Sequence, residues 1–295
     1  MTIQGGAPTT TIDSLPTTLG AVSGAAWTAK RDVERYWLRY TLVWGGAAGL
    51  VMLTSLAEKW TDVELMPFGV ILGLGAIVPP MLRPPSDDER ARPLHQRTAT
   101  RLGLSVAAFA FLMNYFTTPY FFDVLHMHYG FHSRIVVRDN PVFLYFLTVA
   151  YFATYAALLL GALCIARRWG EKLPKPIAWV PVIAAPFVVA GLETALNANP
   201  FMKRLFCYDD AGFALTFGTL SYGACFCFTL PVWSSIDETR DARPSGAVIV
   251  ARIAAATLGI VVTFAVLRAW VAPRVTVVHE DAPGLGYVEG SCLER

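Results

Sequence analysis

Residues 141–166 read PVFLYFLTVAYFATYAALLLGALCIA, with no Asp, Glu, Lys or Arg anywhere in the run. About 20 apolar residues in a helix, each rising about 1.5 Å, cross the roughly 30 Å of hydrocarbon in a bilayer. A helix that is apolar on every face is either a deeply buried core helix or a membrane span. Length favours the span, and the rest of the chain repeats the pattern. Comparable runs occur at about Tyr36–Leu56, Leu65–Leu82, Leu102–Phe122, Ile177–Ala198, Gly212–Trp233 and Gly246–Ala272. The expected fold is all-α: a polytopic integral membrane helical bundle of about seven transmembrane helices. Composition agrees, since only 16% of residues are charged where a soluble chain carries about 25%. No internal repeat is visible, so an inverted-repeat transporter gains no support.

The connections between the runs set the expected organisation. Residues 1–29 lack a basic-then-apolar run, which argues against a secretory signal, and read as a disordered tail. Residues 30–273 form the membrane domain and 274–295 a second tail. The N-terminal segment and the loops at 83–101, 167–176 and 235–245 hold 14 Lys and Arg, against 7 in the connections on the other side. That bias places the N-terminus in the cytoplasm, and an odd number of spans then places the C-terminus outside. No Lys/Arg block is dense enough for a nucleic-acid surface. The five cysteines, Cys164, Cys207, Cys225, Cys227 and Cys292, are scattered and read as packing residues with no disulfide framework. Cys225 and Cys227 point to different helix faces and cannot jointly grip a metal.

Polar residues at membrane depth are costly, so each is a functional candidate. The first, second and seventh runs carry almost none in their middles. Arg252 and Arg268 lie near opposite ends of the seventh, where long side chains snorkel to the interface. The third run ends in Asn114, Tyr115, Thr117, Thr118, Tyr120 and Asp123, with Pro119 removing a backbone donor and predicting a kink. The fifth ends in Glu193, Asn197 and Asn199. Glu193 and Asn197, four apart, share a helical face. The topology gathers these ends on one side, together with Glu64, Tyr208, Asp209 and Asp210, as an acidic and aromatic cluster. Two readings of Glu193 stay open: a functional acid, or glue between spans that bonds Asn114 or a tyrosine hydroxyl. Tyr151 and Tyr155 share a face and can line a pocket. Asp123, His126, His128 and His132 have a spacing that invites a metal, but without a nearby Cys/His partner the signal is weak, and no metal site is assigned.

A resemblance sharpens this picture. The run Asn114-Tyr115-Phe116-Thr117-Thr118-Pro119-Tyr120-Phe121-Phe122-Asp123-Val124-Leu125 resembles a stretch of the plant cycloeucalenol cycloisomerase family. So do Leu192-Glu193-Thr194-Ala195-Leu196-Asn197-Ala198-Asn199-Pro200 and the pattern Leu230-Pro231 followed by Ile236-Asp237-Glu238. Glu34-Arg35-Tyr36-Trp37, and Trp60 to Leu65 leading to Ile77-Val78-Pro79-Pro80-Met81-Leu82, are similar too. The matches keep their order over about residues 33–240.

That resemblance implies an intramolecular isomerase that opens the 9β,19-cyclopropane ring of a plant-type sterol, with no redox cofactor or metal. Its partner is a sterol or related polycyclic isoprenoid lipid, met among membrane lipids. The membrane is the endoplasmic reticulum in a eukaryote and the inner membrane in a bacterium. The chemistry needs an acid to protonate the strained methylene and a base to take a neighbouring ring proton. A carboxyl withdrawn from water tends to keep its proton, which makes Glu193 the first candidate acid. Asp123 or Asp209 is the candidate base. Asn114, Tyr115, Phe116, Tyr120, Phe121, Phe122, Asn197 and Asn199 are candidate substrate contacts, the aromatic ones as walls facing a transient cation. In the family's pattern histidines stand where this chain has Pro119 and near Val142 and Val149; His126 or His128 is the available substitute. The rival readings are an isomerase that moves a double bond in a sterol or isoprenoid, and a non-catalytic seven-helix sterol-binding protein.

Overall fold

The computed structural model describes residues 24–237 and 243–270. Its long helices are α1 (Gly24–Leu53), α2 (Asp62–Leu82), α3 (Thr98–Phe116), α4 (Thr118–Leu125), α5 (Val142–Gly170), α6 (Lys175–Asn197), α7 (Thr219–Ser235) and α8 (Gly246–Trp270). Among the described residues, six stretches are long and apolar enough to cross a membrane: α2, α3 with α4, α5, α6, Ala211–Ser235 and α8. The chain is thus an all-α, multi-pass membrane protein by length and composition. The first expected span differs. α1 is 30 residues long, but Lys30, Arg31, Asp32, Glu34, Arg35 and Arg39 charge its first half. The apolar remainder falls short of about 20 residues, although Trp37 and Trp44 are buried against the bundle. α1 also begins inside the segment expected to be a tail. The expected C-terminal tail and most of the N-terminal one lie outside the described residues.

α5 is the most buried span and touches α1, α2, α3, α6 and α7. Its uniformly apolar surface suits that central place. α2 lies against it through Gly69 and Gly73, spaced by four residues. A Cβ on either would fall 2.4 or 2.1 Å from the backbone oxygen of Phe143 or Phe146, so only glycine permits this approach. On its other side α2 meets α1. Pro79 and Pro80 lack the N–H groups that would have bonded the Gly75 and Ala76 carbonyls. α1 supplies the missing donors, the Tyr36 hydroxyl to Gly75 O at 2.6 Å and the Trp37 indole to Ala76 O at 3.0 Å. The rule that backbone polar groups must find partners in lipid explains both aromatic residues.

The end of the bundle that holds the N-terminus of α3 is closed by charge. Lys30, buried, donates to the carbonyls of Trp233, Ser234 and Ile236 at 2.8–3.0 Å and so caps the C-terminus of α7. Arg101 pairs with fully buried Asp237 at 2.5 Å. Arg243 reaches Glu89 at 2.9 Å, and Glu89 accepts from the Thr98 N–H at the start of α3.

The opposite end is built from irregular pieces that bring distant loops together. α3 stops at Phe116 and α4 starts at Thr118, so the kink expected at Pro119 is a full break at Thr117. Strand β1 (Met127–Tyr129) follows, then a tight hairpin of β2 (Val136–Val137) and β3 (Asn140–Pro141). Arg138 and Asp139 turn this hairpin with φ of 55° and 60°, the left-handed pair that a two-residue turn demands. Asp62 at the start of α2 ties the approach to it, accepting from the Ser133 hydroxyl and the Arg134 N–H at 2.5 and 2.8 Å. Strand β4 (Phe206–Tyr208) pairs antiparallel with β1, Met127 opposite Tyr208 and Tyr129 opposite Phe206. Glu64 and Asp210, expected in an acidic cluster, are caps instead. Glu64 closes a capping box with Thr61, and Asp210 accepts from the Phe213 N–H.

Candidate functional site

A cavity lies under the β1–β4 ladder, walled by the ends of α3 and α6, by α4, and by the beginnings of α5 and α7. The empty space it bounds is about 850 Å³ when the open region outside is counted, and its interior room is about 110 Å³. Most of its wall is apolar or aromatic: Met52, Met113, Phe121, Met127, Leu144, Leu147, Phe152 and Phe206. Four tyrosines and a carboxylate add polar points: Tyr129, Tyr151, Tyr208, Tyr222 and Glu193. Asn114, Thr117, Thr118, Thr148, Thr194 and Asn197 complete the lining.

Glu193 is the one carboxylate among the described residues that lines the cavity. It sits one turn before the end of α6, on the same face as Asn197. The hydroxyls of Tyr155 and Tyr222 lie against its carboxyl, yet its enclosed oxygen Oε2 has no partner at ordinary hydrogen-bond distance. The sequence arranges this closeness through small residues. A Cβ on Gly223 would fall 2.5 Å from the Phe187 ring, so α7 presses against α6 beside Tyr222. Outside the spans, burial holds the Tyr129 phenol above its usual range, helped by nearby Tyr208 and Glu193. The Tyr208 phenol is likewise raised by burial and by Glu193. Both therefore remain neutral hydrogen-bonding groups at physiological pH.

A second polar point is built of amides and hydroxyls. The hairpin delivers fully buried Asn140, whose Nδ2 donates to Asn114 Oδ1 at 2.7 Å and to Thr118 Oγ1 at 3.2 Å. Asn114 Nδ2 donates to the Ala110 carbonyl at 2.7 Å. Asn140 immediately precedes α5, whereas Glu193 lies beside Tyr151 and Tyr155. Nine or more residues along α5 separate the two levels, on the order of 10 Å.

Of the residues singled out in the sequence, Glu193, Asn114, Thr117, Thr118, Phe121, Tyr151, Asn197 and Tyr208 come together in this lining, with Tyr155 against Glu193. The others fall elsewhere. Asp123 forms an ion pair with Arg268 away from the cavity. Asp209 is buried beside His128, Oδ1 to Nε2 at 3.4 Å, and near His126 at 3.9 Å. Tyr115 and Phe116 stack edge to face on the exposed surface. Tyr120 is buried against Phe264, and Phe122 against Tyr129. Asn199 accepts from the Phe201 and Met202 N–H groups in the turn after α6. Tyr129, Tyr222 and Asn140 were not foreseen; none carries a charge. Among the described residues no group of three or more His, Cys, Asp or Glu is placed to hold a metal. Cys207 is disulfide-bonded, which the scattered spacing did not foretell.

No family model matches the chain, and no solved structure does. It is similar to the cycloeucalenol cycloisomerase of Arabidopsis thaliana, 29% identical over 229 residues that cover 74% of this chain and 80% of the relative. The two chains are related at the family level. The stretches that resemble the cycloeucalenol cycloisomerase family most closely, 114–125 and 192–200, supply Asn114, Thr117, Thr118, Phe121, Glu193, Thr194 and Asn197 to one wall of the cavity. Residues far apart in the chain but shared in pattern thus meet at one place.

Proposed function

We propose that the protein is a membrane isomerase that opens the 9β,19-cyclopropane ring of a cycloeucalenol-like sterol to give an 8-ene. The observation that carries this reading is the Glu193 carboxyl, enclosed in an apolar, tyrosine-rich cavity and lacking a partner for Oε2. In its protonated form Glu193 gives a proton to the cyclopropane methylene, C19. The electron pair of the C9–C19 bond forms the new C–H bond, which turns C19 into a methyl group and leaves a cation at C9. The C8–H pair then closes the C8–C9 double bond as that proton departs, so the reaction balances without redox chemistry. Asp123 and Asp209 do not line the cavity, which leaves the Glu193 carboxylate itself as the base that recovers the proton. Tyr151, Phe152 and Tyr222 line the cavity, and a ring face turned to the transient cation contributes about 0.5–2 kcal/mol.

The test is Glu193→Gln in membranes supplied with cycloeucalenol, with the product identified by mass spectrometry. General acid catalysis contributes about 10²–10⁴ in rate, so turnover falls at least about a hundredfold while the protein level and thermal stability hold. Wild-type turnover by the variant removes Glu193 from the mechanism. No conversion by the unmodified protein removes the reaction itself.

A further inference from the structure

The amide and hydroxyl cluster at one end of the cavity holds two donors that its own bonds do not use, with the unpartnered Asn140 Oδ1 behind them. Asn114 spends one amide hydrogen on the Ala110 carbonyl, which turns its Oδ1 toward Asn140. Asn140 must therefore present its amide nitrogen, and its two hydrogens go to Asn114 Oδ1 and Thr118 Oγ1. Thr118 Oγ1 accepts in that bond, so its own hydroxyl hydrogen points away from Asn140. Asn114 also keeps a second amide hydrogen. Asn114 and Thr118 both line the cavity, and both are almost fully buried. This end of the cavity thus offers two donors and calls for an oxygen that accepts. The hairpin that holds Asn140 is itself fixed by the left-handed pair Arg138 and Asp139, so the donors are set before any guest arrives.

We infer that Thr118 and Asn114, oriented by Asn140, seat the ring-A oxygen at C3 of the sterol. This rests on the proposed function and adds the polarity of the bound guest. A sterol is an apolar body with one oxygen at one end, and in a bilayer that oxygen lies at the interface. The cavity has its donor pair toward the start of α5 and the Glu193 carboxyl further along that helix, beside Tyr151 and Tyr155. Ring A then faces the β1–β4 ladder, and the cyclopropane projects inward toward Glu193. Because the protein supplies the donors, a ketone oxygen serves as well as a hydroxyl, and a substrate with no oxygen does not. Asn140 acts here as a positioning residue.

The experiment compares cycloeucalenol, its 3-ketone and its 3-deoxy analogue on the full chain in membranes. KM and kcat are measured for each, and the thermal shift of the purified protein with each sterol is measured alongside. A hydrogen bond of ordinary net strength predicts a KM about three- to tenfold higher for the deoxy compound, with the ketone close to the alcohol. Thr118→Val raises the KM for the alcohol to that of the deoxy compound, while Thr118→Ser retains the preference. Equal KM values for alcohol and deoxy compound in the unaltered protein overturn the inference, and that comparison needs no variant to fold. If cycloeucalenol is not converted, the thermal shifts decide. Stabilisation by alcohol and ketone but not by the deoxy sterol upholds this seat while the proposed reaction fails, and equal stabilisation by all three overturns the seat as well.

Discussion

Adding a single methyl group at Gly73 tests how far the cavity depends on helix packing outside it. The ideal Cβ falls 2.1 Å from the Phe146 carbonyl oxygen and 2.8 Å from its carbonyl carbon, where ordinary contacts begin at 3.4 Å. Backbone atoms cannot rotate aside as a side chain would, so Gly73→Ala must part α2 from α5 by roughly 1 Å or more. Overpacking of this kind costs about 1–3 kcal/mol. The residues next to Phe146, Leu147 and Thr148, line the cavity, so the same movement shifts the wall that faces the substrate. A misplacement of about 1 Å in a site can cost about a hundredfold in rate. Gly161→Ala is the control: it lies on α5 too, and nothing stands within 4 Å of its Cβ position. There alanine gains about 0.5–1 kcal/mol from helix propensity. Thermal unfolding in detergent and turnover of cycloeucalenol in membranes measure both effects. If Gly73→Ala matches the unaltered protein in stability and rate, α2 and α5 do not meet as closely as described.

Asp123→Asn and Asp209→Asn keep turnover within a few-fold of the unaltered protein, because neither carboxylate lines the cavity. A hundredfold loss in either, with the fold intact by thermal unfolding, sinks the single-carboxyl cycle. Among the described residues, Arg101→Met leaves fully buried Asp237 with Arg243 at 3.7 Å as its one cation, and it destabilises the protein by about 3–5 kcal/mol. Adding Asp237→Asn recovers part of that loss; a double variant no more stable than the single refutes a buried charge as the cause.

How much of this was legible in the sequence follows from which physical demand each residue meets. The spans could be read because a bilayer asks for long apolar runs, a signal that survives any packing. The helical start of α1 could not, since Lys30 opens a charged stretch and is held by carbonyls more than 200 residues away. Glu193 and Asn197 stood out because charge and amide are costly at depth. The aromatic residues around Pro119, expected together as substrate contacts, fall in different places for a geometric reason. The break at Thr117 resets the phase, leaving Tyr115 and Phe116 outside and only Phe121 within. Glu64 had its capping partner three residues before it, a legible pattern that proximity to other acids obscured. Asn140 offered no signal, because its importance comes from a hairpin whose two left-handed residues are not glycine.

Between the two readings of Glu193 that the sequence left open, the partners of Asn114 favour function. A residue that glues spans together should satisfy itself in doing so, as Thr41, Trp44 and Thr154 do between α1 and α5. The packing reading offered Glu193 either Asn114 or a tyrosine hydroxyl; Asn114 is taken by Asn140, and the tyrosine hydroxyls are the partners that do come near. Tyr155 and Tyr222 approach the carboxyl, but Oε2 remains without a hydrogen bond. Leaving a buried polar atom unpaired costs about 1–3 kcal/mol, and the neighbouring wall could have been apolar throughout. The cost makes sense when the missing partner is a guest, and a carboxyl not committed to the protein is free to give its proton to one.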